Sequence, residues 1–207
     1  MIAVVSIVVV AAIWSGATAS PVGPVRSWRT VQSPDGTFTM RVPIGWQVTQ
    51  RCEPSAACQM MIARSRWVHI YVDIRPRLAQ SAGVRNPADA DDTYQLLAAL
   101  HDRARRDWSA NFGEITEGRT SSTRLGGAPA MWSRIEFTDT EGTYKGETMV
   151  GLRATVVGGN ASVLMAALAP ERYWGDFEPV ALDIFRSIRF AGRQPQAPGA
   201  GPRPPAR

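Results

Sequence analysis

Lysine is nearly missing from this sequence. Lys145 is the only one, so the basic excess of 23 Lys and Arg over 18 Asp and Glu is carried by arginine. A net charge of +5 distributed without a dense cationic run is a poor electrostatic footprint for nucleic acid, and no nucleic-acid partner is expected. Histidine is scarce as well: with only His69 and His101, a histidine-based triad has little to draw on. The chain has no G-x-S-x-G nucleophile elbow, no G-x-x-x-x-G-K-[ST] phosphate loop, no H-E-x-x-H and no dinucleotide fingerprint. Acidic pairs such as Asp139 with Glu141, or Glu136 with Glu147, fall on strand ends. A hydrolase would need carboxylates distant in sequence to converge. The expectation is therefore a protein that is not an enzyme, with no catalytic residues, no cofactor and no metal.

Charge is also absent from the first 25 residues, and Ile2 to Trp14 is an apolar run broken only by Ser6. Its length suits the roughly 7–15 residues of a signal-peptide core better than the roughly 20 of a comfortable bilayer span. Ala17-Thr18-Ala19 supplies a small-x-small cleavage site before Ser20. No basic residue precedes the run, and extending it to Val25 also allows an uncleaved anchor, with Arg26 and Arg29 just beyond. Residues 1–25 are thus read as a signal peptide or membrane anchor, and the protein as exported, periplasmic or otherwise extracytoplasmic. No cysteine near Ala19 invites lipid modification.

Two cysteines are all the chain has, Cys52 and Cys58, and in an exported protein such a pair is most simply a disulfide. Closing so small a loop contributes about 2 kcal/mol, and Pro54 and Ser55 suit the turn. The spacing is not that of a C-x-x-C redox motif. A soft-metal set of Cys52, Cys58, Met60, Met61 and His69 is the sharper alternative, weakened because adjacent strand methionines point to opposite faces.

The 44% hydrophobic and 20% charged residues are ordinary for one globular domain, expected over 26–190. Arg26 to Val31 reads as a strand, followed by a Ser33-Pro34-Asp35-Gly36 turn. In the next strand Phe38, Met40 and Val42 share a face, Pro43 stops pairing, and Gly45 turns the chain so that Trp46 folds back into the core. Trp46 to Val48 reads as a brief strand or turn before the cysteine loop. Gln59 to Ala63 and Trp67 to Ile74 read as strands, the second with Val68, Ile70, Val72 and Ile74 on one face. Its other face, Trp67, His69, Tyr71 and Asp73, is the candidate binding surface. His69 and Asp73 lie about 13 Å apart along it, too far to hydrogen-bond.

Residues 75–87 read as a loop. A helix follows, with Asp89, Asp91 and Asp92 at its start, Arg103, Arg105 and Arg106 toward its end, and a stripe of Tyr94, Leu97, Leu100 or His101, Ala104 and Trp108. The aspartates lack the glycine and distal glutamate of a calcium loop. Strands are expected at Glu114 to Glu117 running toward Thr123, at Ala130 to Thr138, Gly142 to Val156 and Ala161 to Leu168, as an antiparallel meander. Asn160-Ala161-Ser162 is a formal glycosylation sequon on the last turn. Tyr173, Phe177, Ala181, Ile184 and Ile188 form a second stripe, which Pro179 divides into a lead-in turn and a helix from about Glu178 to Ser187. Residues 191–207, rich in Pro, Gly and Arg, are expected to be disordered.

Phe38-Thr39-Met40-Arg41-Val42-Pro43-Ile44-Gly45-Trp46 resembles the strand-Pro-x-x-Trp opening of the PsbP-like and DcrB-like family. Phe185-Arg186-Ser187-Ile188-Arg189-Phe190 resembles the way that family's last helix passes into a final strand. The similarity spans about Ser27 to Phe190. It implies an α+β fold, an α/β/α sandwich on a mainly antiparallel sheet, in exported proteins often tethered to a membrane and usually without demonstrated catalysis. The chain departs in its cysteine loop and in lacking a lipoprotein cysteine. The resulting expectation is an accessory protein that binds a membrane protein or complex. The alternative is a periplasmic module binding a small molecule or metal through Trp67, His69, Tyr71 and Asp73.

Overall fold

A computed structural model describes residues 20–53, 57–76, 90–112, 114–140, 144–158 and 161–191. The apolar leader before Ser20, the Pro54-Ser55 turn, Asp89 and most of the loop before it, Asn160 and the tail after Ala191 lie outside the described residues.

The fold is α+β. Among the described residues, eleven strands and two helices follow in the order β1 (Trp28–Gln32), β2 (Phe38–Pro43), β3 (Gln47–Cys52), β4 (Cys58–Ser65), β5 (Val68–Pro76), α1 (Ala90–Phe112), β6 (Thr116–Glu117), β7 (Ser121–Leu125), β8 (Ala128–Thr138), β9 (Thr148–Gly158), β10 (Ala161–Pro170), α2 (Glu171–Arg186) and β11 (Arg189–Phe190). The central sheet runs β3-β4-β5-β10-β9-β8-β6, with β7 also paired to β8, and every pairing is antiparallel. The meander expected from the turn signals, β8-β9-β10, is joined through β10 and β5 to a second one, β3-β4-β5.

Each face of this sheet carries one helix. On β9, Leu152, Ala154 and Val156 join the main core with Trp174, Phe177, Ala181 and Ile184 of α2. The alternate residues Arg153 and Thr155 point the other way, where His101 of α1 bonds Thr155. Strand alternation thus distributes one segment between two layers. A second, three-stranded sheet, β1-β2-β11, completes the α2 layer and was not foreseen. It joins the two segments that carry the family resemblance. Arg189 and Phe190 pair with Thr39 and Phe38, the Phe38 and Phe190 rings meet at 6.0 Å, and the Arg41 amide donates to Ser187 Oγ at 2.8 Å.

The opening strand behaves as its sequence implies. Phe38, Met40 and Val42 are buried, Gly45 adopts φ 88°, and Trp46 is buried against Phe177 at 6.1 Å. Pro43 still pairs with Trp28, as the last residue of the strand rather than beyond it. Other boundaries differ: β1 starts at Trp28 rather than Arg26, β3 extends to Cys52, and β5 takes in Arg75 and Pro76, which were expected in the loop. Trp67 precedes β5, in a turn next to a register shift between Ala63 and Ser65. Strand β9 begins at Thr148, because Gly146 at φ 82° and its amide bond to Asp139 O close a turn first. Helix α1 continues to Phe112, so its arginines lie mid-helix and its last turn has no basic residue.

The larger difference is at Pro179, which sits inside one unbroken helix. An interior proline costs about 3 kcal/mol, but burying a large apolar side chain contributes about 1.5–3 kcal/mol. Trp174, Phe177, Ile184 and Phe185 are all buried on this helix, so the stripe outweighs the proline. The carbonyl left without a helical donor belongs to Gly175, which is exposed and open to water.

Candidate functional site

The four residues singled out on β5 divide into two places. Tyr71 and Asp73 line a groove of about 600 Å³ between α1 and the β4-β5-β10 part of the sheet. The groove exists because α1 packs on β8 and β9 and leaves the same face of β4 and β5 uncovered. Leu164 and Ala166 of β10, the register partners of Asp73 and Tyr71, form its floor. Met61, paired with Tyr71 across β4 and β5, is 39% exposed and Tyr71 is 40% exposed, whereas most large apolar residues of this protein are buried. Ala104 and Trp108 supply the opposite wall. Arg51, Arg75 and Arg153 also line the groove, together with Asp73 and Asp107. Asp73 accepts from Arg75 Nε at 2.7 Å.

Trp67 and His69 lie outside the groove in an aromatic cluster at the end of the sheet. Tyr144, which the sequence reading did not single out, is its centre: it meets Trp67 at 5.2 Å and stacks on His69 at 5.9 Å. His69 packs edge-on to Tyr71 at 4.8 Å, so the two clusters touch through that pair. Burial lowers the His69 pKa to about 4, against a backbone hydrogen bond at Arg66. Burial, with Tyr71 next in weight, raises Tyr144 to about 12. Both are neutral at pH 7, and their 3.5 Å contact is a long hydrogen bond rather than an ion pair. His69 and Asp73, four residues apart on the strand, have different partners.

Behind the groove is a buried polar cluster that sequence reasoning missed. His101, Ser133, Arg153 and Thr155 are each at most 2% exposed. Ser133 Oγ donates to Glu117 Oε1, and Arg153 donates through one terminal nitrogen to the same carboxylate and through the other to the His101 carbonyl. Since the Ser133 proton goes to Glu117, His101 Nε2 is the donor to Ser133 Oγ at 3.0 Å, and Nδ1 lies 2.8 Å from Thr155 Oγ1, whose hydroxyl donates to it when the ring is neutral. Burial, then the charge of Arg153, hold the His101 pKa down to about 4 despite Glu117 and Asp102. Burial pushes Glu117 up, but the bonds from Ser133 and Arg153 outweigh it and keep the carboxylate below its ordinary value. Ser133, His101 and Glu117 have the composition of a hydrolytic triad without its connectivity. The carboxylate takes the serine's proton and lies 3.4 Å from Nε2, the same imidazole nitrogen that faces the serine, so it does not orient the ring from Nδ1 as a triad acid does, and Ser133 is buried. Arg153 Nε has no partner among the described residues. One sequence signal points here: an arginine inside the run Met149 to Val157, whose only other polar residue is Thr155, demands a buried partner.

Cys52 and Cys58 form a disulfide across the end of the β3-β4 hairpin, with Cα atoms 4.1 Å apart. This removes both thiolates from the soft-metal set, and Met60 and Met61 do face opposite ways, one buried and one exposed. Among the described residues no three of His, Cys, Asp and Glu are grouped to hold a metal, and no helix is long and apolar enough to cross a membrane.

No known family profile matches the chain, and no curated protein matches it in sequence. Solved structures do. One is LpqN, involved in cell envelope biogenesis of Mycobacterium tuberculosis, with TM-score 0.49 and 13% identity over 80% of this chain and 91% of that one. The Saccharomyces cerevisiae Ran-binding protein Mog1p matches with TM-score 0.47 and 13% identity over 79% and 95%. Cyanobacterial PsbP from Synechocystis sp. PCC 6803 matches with TM-score 0.46 and 12% identity over 82% and 95%. The matched structures therefore include a PsbP, the family that the sequence resembles. Likeness at this level concerns the path of the chain, and the site must be read from its own residues.

Proposed function

We propose that this is a noncatalytic extracytoplasmic accessory protein, one domain over residues 26–190 behind an export segment, that binds a membrane protein or complex through the α1 groove. The disulfide favours an oxidising compartment, since such bonds are rare in reducing cytosol. The observation that carries the binding reading is the exposed Met61 and Tyr71 opposite Trp108, with Arg51 and Arg75 at the rim. Met, Tyr, Trp and Arg are the side chains enriched in protein interfaces and their energetic centres. Their arrangement suits a partner segment presenting an apolar side chain flanked by carboxylates. Neutral His69 and the internally bonded Glu117 offer no group poised for acid–base work.

The test is co-purification from gently solubilised membranes, with wild type and Met61→Glu compared. A partner retained by wild type and lost from a folded Met61→Glu supports the reading. A protein recovered free, or a partner held equally by both, contradicts it. The groove volume also lies within the roughly 300–1,000 Å³ of small-molecule sites, which favours a ligand-binding module using Tyr71 and Asp73 as the second reading. In that case a small molecule would co-purify in place of a protein and raise the melting temperature of wild type but not of Tyr71→Ala.

A further inference from the structure

The two ends of the central sheet differ. One end gathers the β2-β3 turn at Ile44, the β4-β5 hairpin tip at Arg66, the turn before β9 and the start of α2. Ile44 is 60% exposed, the most exposed large apolar residue in the described structure. Two guanidinium groups pack on the Trp67 ring, Arg66 at 4.6 Å and Arg172 at 5.3 Å, and Arg172 also covers Tyr173 at 4.8 Å. Arg26, Arg29, Arg64, Arg66, Lys145 and Arg172 are all exposed here, against Asp139, Glu147 and Glu171. Arg172 pairs with Glu147, which leaves Arg26, Arg29, Arg64, Arg66 and Lys145 against Asp139, Glu171 and, on the far edge of the sheet, Glu114. Exposed guanidinium and ammonium groups over half-buried Trp and Tyr, with one protruding aliphatic, match the side chains that settle at a membrane–water interface.

The chain also enters the fold at this end. Val22 is buried, and a Cβ on Gly23 would meet the Arg64 guanidinium at 3.8 Å, while one on Gly45, beside Ile44, would meet it at 4.0 Å. The apolar run of the leader stops at Trp14, eight residues before Val22. At most about 3.6 Å per residue, that is a tether of under about 30 Å. A leader retained as a membrane anchor would hold this end of the domain toward the lipid.

We propose that this end, centred on Ile44, Arg66, Trp67 and Lys145, docks on an anionic lipid surface. The contact is separate from the groove, which lies on the α1 side of the sheet and would remain open to a second molecule. Each basic side chain near an anionic leaflet adds about fivefold to the docked population, an attraction that salt screens.

The test places the full chain in nanodiscs of phosphatidylcholine alone or with phosphatidylglycerol, and reads hydrogen exchange at residues 43–47, 64–68 and 144–147. Protection that appears only with phosphatidylglycerol, and disappears in 0.5 M salt, is the expected result. In Arg66→Gln/Lys145→Gln the docked-to-undocked ratio should fall about 25-fold. The salt comparison decides the question even if that variant folds poorly. Equal exchange in both lipids, or protection elsewhere on the domain, overturns the proposal. So does protection that appears only in discs made from native membranes, which would assign this end to a protein partner. Because none of these outcomes involves Met61 or Tyr71, loss of this proposal leaves the groove reading standing.

Discussion

Acid should weaken the fold well before its carboxylates titrate. His69 and His101 each have a folded pKa of about 4 against an ordinary value of 6.5. A base whose pKa is depressed by folding is held neutral, so its contribution is complete above pH 6.5 and is lost as pH falls toward 4. At pH 5.0 each linkage costs about 2 kcal/mol relative to pH 7.5, or about 4 kcal/mol for the pair if they act independently. Asp35 and Glu117 also have depressed pKa values, but their ordinary values of 3.8 and 4.5 put their loss mainly below pH 5. The window from 6.5 to 5 therefore isolates the histidines. Urea unfolding followed by tryptophan fluorescence at pH 7.5, 6.0 and 5.0 measures the effect. His101→Gln and His69→Phe should each remove about half of the pH dependence, whatever they do to stability at pH 7.5. An unchanged midpoint between pH 7.5 and 5.0, or a full drop that persists in the double variant, would refute the burial argument.

Gly126 has φ 59°, and an added Cβ would lie 1.6 Å from the Ile188 carbonyl oxygen, so Gly126→Ala should cost several kcal/mol in urea unfolding. Gly127→Ala, at φ 85° with open space around it, should cost only about 1 kcal/mol, and equal effects would contradict the clash. Pro179→Ala should raise stability by about 2 kcal/mol, by restoring a helical hydrogen bond at an exposed position. Glu117→Ala should cost about 3–5 kcal/mol because it strands a buried Arg153, and Glu117→Leu/Arg153→Met should recover part of that loss in the same assay. Opening the cysteine loop with Cys52→Ala/Cys58→Ala should cost about 2 kcal/mol, and dithiothreitol should then have no further effect on the variant.

What could be read from the sequence was local. Val68, Ile70, Val72 and Ile74 alternate without interruption and are buried as alternation requires. Leu97, Leu100, His101 and Ala104 recur at helical spacing and all face the sheet. Errors arose where packing overrides local preference, as at Pro179, or where a turn consumes residues of strand-like composition, as before Thr148. The groove is half visible: strand alternation puts Tyr71 and Asp73 on one face, but nothing local states that α1 leaves that face uncovered. The His101, Glu117, Ser133 and Arg153 cluster was invisible as a cluster, since its bonds join residues 16–52 positions apart. The charged residue in the apolar β9 run announced that a partner existed, and only the fold could supply its identity. The pairing of Phe190 with Phe38 likewise depends on a small sheet that neither two-residue β11 nor β1 would form alone.

The most direct test of the account is site-specific photocrosslinking in intact membranes, with a photoreactive residue at position 61 or 71 in the full chain. The account predicts that both positions capture the same membrane protein, that the purified partner binds wild type, and that Met61→Glu abolishes this binding without unfolding the domain. Captures at unrelated proteins from the two positions, or a purified partner bound equally well by Met61→Glu, would contradict it.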